Sequence, residues 1–311
     1  MKEFPVRLRD FSMLLVTLLS AIVGIAFPDT APYLSEVPFY GLMGMLYISF
    51  MSLRLGHLLG TLRHNILGIV WFMFIRLILL PSILYLLFRY IAPDYALAAL
   101  LLGGAATGVV APFIAFILGA DVAFTTILAA LTSFVLPFSL PLVALFWAGK
   151  EIDISLPSMV ITLVQMILLP AIAVYLTRRF APPLSKFTQT HGYNLGLTIT
   201  FFSTCAIFAR YADYFLNTPQ VILEGALAAI VIAALCGLLG WLAAWRLTPS
   251  VRLTFIISAL LLNFTLIVVL SNEFFGPREA ITAVLYTIPF FGTIIPLRAY
   301  MLAAERKKAQ T

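Results

Sequence analysis

Residues 103–112 read Gly-Gly-Ala-Ala-Thr-Gly-Val-Val-Ala-Pro and lie within an apolar segment that extends from about residue 95 to 118. The three glycines loosen a helix at this point, and Pro112 removes an amide donor and clashes with the preceding turn. The stretch therefore predicts a break in the helix. Small residues also let helices pack closely, so the break either accommodates a neighbouring helix or frees backbone groups that bind a ligand.

The rest of the chain is too apolar for a water-soluble fold. Of its 311 residues, 62% are hydrophobic and 10% are charged, and the mean hydropathy is +1.07. Soluble domains contain roughly 45–50% apolar and about 25% charged residues. The two cysteines, Cys205 and Cys236, lie in apolar segments, which excludes a disulfide framework or a cysteine-rich metal site.

Clusters of charged residues, proline and glycine divide the chain into ten apolar segments, each near the length of about 20 residues that a helix needs to cross a bilayer. The first segment resembles a signal peptide, but its apolar run is too long and no A-x-A site follows, so we interpret it as a span. We predict an all-α polytopic membrane protein with ten transmembrane helices in one membrane domain, residues 1–311. The spans are residues 11–27, 38–53, 66–88, 95–118, 122–147, 155–177, 193–209, 221–245, 253–270 and 280–302.

The distribution of basic residues predicts the orientation. Ten spans place 14 Lys and Arg on the side of the two termini and 4 on the other side, and positive charge favours the cytoplasmic side. We therefore expect an inner (cytoplasmic) membrane protein with both termini in the cytoplasm. Because topology explains the net charge of +6, we expect no nucleic-acid partner. The larger group is Lys2, Arg7, Arg9, Arg54, Arg63, Arg178, Arg179, Lys186, Arg246, Arg252, Arg298, Arg306, Lys307 and Lys308, and the smaller is Arg89, Lys150, Arg210 and Arg278.

The two halves of the chain predict an inverted repeat. Five spans in each half would run in opposite orientations, as in many secondary transporters. An offset of 152 residues lays Pro137-Phe138 on Pro289-Phe290 and Ala111-Pro112 on Asn263-Phe264. The break in the fourth span thereby aligns with polar residues of the ninth span, which favours a ligand-binding interruption. The predicted five-helix repeats are residues 11–147 and 155–302.

One charge lies deep within a predicted span. Arg76 is about ten residues from either end of the third span, and burying an arginine there costs at least about 2.5–3.5 kcal/mol. The thirteen acids all lie at or near span ends. We expect helix-end carbonyls and, intermittently, a substrate anion to compensate this charge, with a static structural tie as the alternative.

The spans contain no residue suited to a proton relay, which usually requires an acid or histidine within the membrane. His57, His64 and His191 lie in loops or at a span edge. Asp121 precedes the span that begins at Val122, and we expect its side chain to cap that helix.

Several short motifs of the apolar segments occur together in one family of membrane proteins. The motifs are Phe27-Pro28-Asp29-Thr30, Gly41-Leu42-Met43, Phe50-Met51-Ser52-Leu53, Leu79-Leu80-Pro81, Met166-Ile167-Leu168-Leu169-Pro170 and the stretch from Gly103 to Pro137. They resemble the bile acid:sodium symporter family, part of a superfamily that includes arsenite exporters and auxin-type carriers. The resemblance implies a panel of spans 1, 2, 6 and 7 and a core of spans 3–5 and 8–10, in which the broken fourth and ninth helices cross. It also implies that polar residues at this crossing hold two sodium ions and that an organic anion binds between panel and core.

The chain departs from the family at the sodium ligands. The Ser-Asn pair expected at the fourth-helix break falls on Ala111-Pro112, the acid of the ninth helix on Ser258, and the amide of the third helix on Arg76. Sodium prefers several oxygen ligands, and a guanidinium supplies positive charge in its place. We therefore predict transport that is weakly coupled or uncoupled to sodium. The hydroxyls of the fifth helix fall on Thr125 and Ala129 and the amide pair of the ninth on Leu262-Asn263, which leaves Thr125, Ser258 and Asn263 as candidate ion ligands.

These features predict a secondary transporter of small amphipathic organic anions, such as steroid acids or branched keto acids. We expect no catalytic residues and no resident cofactor, with sodium as the one ion to consider, and the oligomeric state stays open. An exporter of another solute or a non-transporting sensor is the alternative; an arsenite exporter would need a membrane cysteine near the fourth-helix break, and we expect Cys205 and Cys236 to lie elsewhere. The candidate substrate-binding residues are Arg76, Thr107, Gly108, Pro112, Ser258, Asn263 and Thr265.

Overall fold

The computed structural model of the chain describes residues 8–52, 66–108, 110–149, 155–293 and 296–301. In these ranges the regular structure is helical, apart from one isolated antiparallel bridge. The helices are α1 Leu8–Ala26, α2 Val37–Ser52, α3 Ile66–Phe74, α4 Leu80–Ile91, α5 Ala96–Gly104, α6 Ala111–Ile117, α7 Val122–Ala148, α8 Leu156–Phe180, α9 Pro182–Arg210, α10 Ala212–Asn217, α11 Gln220–Ala243, α12 Pro249–Leu260, α13 Phe264–Phe274, α14 Pro277–Leu285 and α15 Thr287–Gly292.

Short helical turns join several of these elements. A 3₁₀ helix, Pro28–Leu34, follows α1, and a π-helical turn, Ile75–Leu79, joins α3 to α4 into one continuous helix. Asp121 accepts a hydrogen bond from the Phe124 amide (2.9 Å) and caps α7, which confirms the predicted cap. Helix α9 begins eleven residues before the predicted span 193–209 because its first turns are polar and escape a hydropathy criterion.

Six helices in the described ranges are long and apolar enough to cross a membrane, or seven if a helix pair bent by 107° near the N-terminus counts as one span. The chain is therefore a multi-pass helical membrane protein. The interrupted segments α5–α6 and α12–α13 each consist of two short helices, so neither half has the length of a single crossing. The number ten stays a prediction. The basic residues Lys2, Arg7, Arg54, Arg63, Lys150, Arg306, Lys307 and Lys308 lie outside the described ranges.

The described helices form two compact units. The first combines residues up to Ser52 with Met166–Val221, and the second combines residues 53–165 with residues from Ile222 onward. In the first unit α9 packs closely against α1 and α2 at glycines. A Cβ at Gly24 would lie 2.5 Å from the Cys205 carbonyl oxygen, and the guanidinium of Arg178 donates to the Met51 carbonyl (2.9 Å) at the end of α2.

The second unit contains α3 to α7, the start of α8 and α11 to α15. An aromatic and aliphatic cluster links α3, α7 and α12, and the rings of Phe72 and Phe255 meet edge to face with centroids 5.1 Å apart. Aromatic pairs of this geometry stabilise a core beyond the area that they bury. This packing fixes α12 against α3 and α7, and thereby positions the interruption that follows α12.

Candidate functional site

Two helix interruptions meet in the second unit. Helix α5 ends at Gly104 and α6 begins at Ala111, while α12 ends at Leu260 and α13 begins at Phe264. The extended segments between them run antiparallel: the Gly108 amide donates to the Leu261 carbonyl (2.5 Å), and the Asn263 amide donates to the Ala106 carbonyl (2.8 Å). Backbone groups freed by each break are therefore satisfied by the other break, as buried backbone requires. We call this arrangement the crossing.

Glycine 108 sets how closely the two segments approach. A Cβ at this position would lie 2.8 Å from the Leu261 carbonyl oxygen and 2.9 Å from that of Leu262, and both atoms belong to the backbone. A residue with a side chain would therefore push the segments apart. We call α6 and α13, the helices that follow the two breaks, the second half-helices. Each begins with a residue type that is typical of helix N-termini: Pro112 occupies the first turn of α6, and the Asn263 side chain accepts from the Leu266 amide (3.3 Å) to cap α13.

Hydroxyl side chains bind the crossing to neighbouring helices. The Thr107 hydroxyl donates to the Ser258 carbonyl (2.9 Å) in α12, and the Thr107 amide donates to the Thr132 hydroxyl (3.1 Å) in α7. All three residues are fully buried, and the Ser258 hydroxyl itself has no hydrogen-bond partner. Thr132 was not among the predicted site residues, because a threonine in a long apolar helix gives no sequence signal of its own.

Arg76 lies in the π-helical turn and has an exposed fraction of 0%. Its Nη1 donates to the carbonyl of Gly103, at the end of α5 and therefore at the edge of the crossing. Nε and Nη2 are buried and have no hydrogen-bond partner. In the part of the chain where burial is described, no acidic side chain is buried with it. One carbonyl thus accepts a hydrogen bond from the guanidinium, and the N–H groups of Nε and Nη2 can still donate to further acceptors.

Tyr286 and Cys236 complete the surroundings of Arg76. Both lie close enough to interact electrostatically with the guanidinium. The Tyr286 hydroxyl also donates to the Leu260 carbonyl (2.9 Å), the last residue of α12. Arg76 and Tyr286 therefore donate to carbonyls near the C-terminal ends of α5 and α12, the two helices that precede the breaks. Neither Tyr286 nor Cys236 was predicted, and the expectation that both cysteines lie away from the fourth-helix break is wrong for Cys236.

The other predicted site residues lie further from these contacts. Thr125 is in the first turn of α7, where its hydroxyl donates to the Asp121 carbonyl (2.7 Å). This position is two helical turns from Thr132, which contacts the crossing. Thr265 is half-buried in the first turn of α13, as Pro112 is in α6. The structure thus brings Thr107, Gly108, Ser258 and Asn263 together and places Arg76 beside them.

The second unit has a distinct polar cluster at each end. At one end Arg278 forms an ion pair with Asp94 (3.2 Å) and lies over the Tyr95 ring, and the Tyr95 hydroxyl donates to Glu224 (3.1 Å). At the other end the Asp121 amide donates to the Thr254 hydroxyl (3.0 Å). Two further contacts join elements at this second end: the Ser250 hydroxyl donates to the Gly119 carbonyl (3.4 Å), and the Trp71 indole donates to the Ala243 carbonyl (3.2 Å).

The first unit exposes polar residues along one face of α9. Thr190, His191, Asn194 and Thr198 are all exposed and fall within about 100° of the helix circumference. Asn194 and Thr198 are near the middle of this 29-residue helix. Helix α11 of the second unit contrasts with it, because its exposed residues beyond Glu224, among them Leu227, Ile230 and Leu242, are apolar.

A multi-pass helical protein with two interrupted helices paired through their backbones has the architecture of a secondary transporter. The family described as the sodium bile acid symporter family matches residues 39–218, more than half of the chain, and the protein belongs to this family. It is thus a membrane transporter of the bile acid symporter superfamily, whose members are not enzymes. No curated protein matches the chain.

Proposed function

We propose that the protein carries small amphipathic organic anions, such as bile-acid-like or other carboxylates, across the inner membrane by alternating access. One observation carries this proposal: a wholly buried arginine with two unpartnered nitrogen atoms lies at the edge of the crossing. A carboxylate accepts hydrogen bonds from a guanidinium in pairs, at a strength that neutral ligands do not reach. The carbonyl of Gly103 supports a second, structural role for the same side chain, and the two roles use different nitrogen atoms.

A ten-helix inverted repeat fits the positions of the two breaks. The second half-helices begin at Ala111 and Phe264, 153 residues apart, which is within one residue of the offset that relates the two halves of the sequence. Residues 11–147 and 155–302 would then be the two repeats. The first unit contains spans 1, 2 and 7 and the second half of span 6, which the family likeness assigns to the panel, and the second unit contains the spans of the core together with the first half of span 6.

Contacts at the two ends of the second unit agree with the grouping of the loops from which we predict cytoplasmic termini. The cluster of Asp94, Tyr95, Glu224 and Arg278 joins the third and ninth loops to the starts of the fourth and eighth spans, at the end that the charge distribution places outside. The contacts of Thr254 and Ser250 join the fourth and eighth loops, which it places inside. Loops assigned to one side therefore meet at one end.

Sodium does not fit the residues at the crossing. Three carbonyls that border the crossing already accept hydrogen bonds: that of Gly103 from Arg76, that of Leu260 from Tyr286, and that of Ser258 from Thr107. No carboxylate is buried in the described ranges, and the guanidinium would repel a cation nearby. Of the candidate ion ligands, Thr125 donates to the carbonyl of Asp121 at its own helix end, and the side-chain oxygen of Asn263 caps α13. The hydroxyl of Ser258 has no hydrogen-bond partner, but one hydroxyl is fewer oxygen ligands than sodium prefers. We infer that transport is not coupled to sodium.

Replacing sodium by choline on both sides of proteoliposomes should change the initial rate of carboxylate uptake by less than about twofold, because no cation site needs to be filled. The same protein in a thermal-shift panel of carboxylates should show ligand stabilisation of equal size with and without sodium. Taurocholate and 2-oxoisovalerate are suitable probes, since one is a steroid acid and the other a branched keto acid. A steep, saturable sodium requirement would contradict the inference.

The polar face of α9 is proposed to line the aqueous route of the solute. An amide exposed to lipid near the middle of a membrane helix would lose its hydrogen bonds to water without replacement. Asn194 and Thr198 are exposed in the first third of the predicted span 193–209, so we infer that their face contacts water in at least one state of the transport cycle.

Cysteine labelling tests this route. Asn194→Cys should react with a membrane-impermeant maleimide, and a transported carboxylate should slow the reaction. Leu242→Cys is the matched control, because Leu242 is 47% exposed on an apolar face of α11 and lies near the cytoplasmic end of the predicted span 221–245, as Asn194 does in its own span, and it should react poorly. The native Cys205 and Cys236 are buried and give a low background. Equal labelling of both variants would refute an aqueous route along α9.

A further inference from the structure

The charge that accompanies the solute determines how the membrane potential acts on this carrier. Within the described ranges, Arg76 is the charged side chain that is fully buried at the site, and no Asp, Glu, Lys or His is buried there. The ionisable groups beside it, Tyr286 and Cys236, are a phenol and a thiol, which are neutral in water at physiological pH. The carbonyls of Gly103 and Leu260 are occupied. Among the described residues, the site therefore offers no carboxylate to balance a cation that would travel with the anion.

We propose that the protein exports its anion and that the interior-negative membrane potential drives the export; this rests on the proposed function as an uncoupled anion carrier. With a monovalent anion on Arg76 the loaded site is neutral, so it changes its access at low electrostatic cost. The empty site carries the charge of the guanidinium. A negative interior attracts this empty site inward, where it binds the next anion, and each cycle moves one negative charge outward.

The sign of the voltage dependence follows directly. In proteoliposomes with valinomycin and tenfold more potassium outside than inside, the interior becomes positive. Taurocholate should then accumulate until its internal concentration is about tenfold higher than outside, because a monovalent anion carried alone equilibrates with the potential. Reversing the potassium gradient should abolish accumulation and accelerate efflux. A pH gradient at zero potential should produce no accumulation.

Two measurements distinguish a failure of the proposed anion transport from a failure of the proposed export: the flux at zero potential and the effect of the potential on that flux. Downhill flux of taurocholate or 2-oxoisovalerate at zero potential, above that of protein-free liposomes, tests the proposed function, and its absence for both probes would refute anion transport altogether. Flux that is insensitive to potential would overturn the export proposal but leave anion transport intact. Accumulation driven by a negative interior and requiring sodium would overturn it as well, because that sign indicates an excess of co-transported cations.

Discussion

Replacing Arg76 by methionine is expected to lower the rate of carboxylate transport by at least about 100-fold while the melting temperature stays within a few degrees of the wild type. Hydrogen bonds to charged groups contribute roughly 1.5–3 kcal/mol each, and about 1.4 kcal/mol corresponds to a factor of ten, so loss of the bonds from Nε and Nη2 accounts for this drop. Stability changes little because two effects oppose each other. The Gly103 carbonyl loses its donor, but a buried charge without an acidic partner is also removed.

Two further variants show whether Arg76 acts through its charge or its shape. Arg76→Lys keeps the charge but has no planar pair of donors, so transport should fall between that of the wild type and Arg76→Met. Arg210→Met is the matched control, since it removes the same charge from an exposed residue at the end of α9 and should transport normally. If Arg76→Met lost folded protein and transport in equal proportion, the arginine would be a structural tie and its role toward the anion would be wrong.

The helices and the breaks could be predicted from the sequence because their signals are local. Both ends of α7 lie within one residue of the ends of the predicted span 122–147, because hydropathy averaged over a whole span tolerates errors at single positions. The break after Gly104 follows from glycine and proline within ten residues. The buried arginine could likewise be predicted from the sequence, because charged residues are rare within membrane-spanning segments.

The surroundings of the site could not be predicted, because they depend on contacts between distant segments. Tyr286 lies about 210 residues from Arg76 and Cys236 about 160, and either residue is unremarkable in an apolar helix until the fold places it beside the guanidinium. Gapless alignment with the family selected Thr125 in α7. The structure instead places Thr132 against the crossing, two helical turns away. An alignment by sequence alone cannot determine which turn of a uniform apolar helix meets a broken one.

Substituting Gly108 by alanine tests the crossing itself and should damage both the stability of the protein and transport. The backbone of Gly108 has no positive φ, so alanine could adopt its conformation. Alanine does not fit at this position, because its Cβ would lie 2.8 and 2.9 Å from two backbone oxygen atoms that cannot rotate away. Separating the segments would break the bond from the Gly108 amide to Leu261 and expose buried backbone groups, at about 1–3 kcal/mol for each unsatisfied group.

We therefore expect Gly108→Ala to lower the melting temperature by several degrees and transport by at least about 100-fold, since the site loses its geometry together with its stability. Gly68→Ala is the matched control. Gly68 lies within α3, where an added Cβ would make an ordinary contact of 3.5 Å with the Phe124 ring, and alanine is the better helix former. That variant should be at least as stable as the wild type and fully active. If the two alanine variants behaved alike, the backbones at Gly108 and Leu261 would not be in contact, and a solute site built on their pairing could not exist.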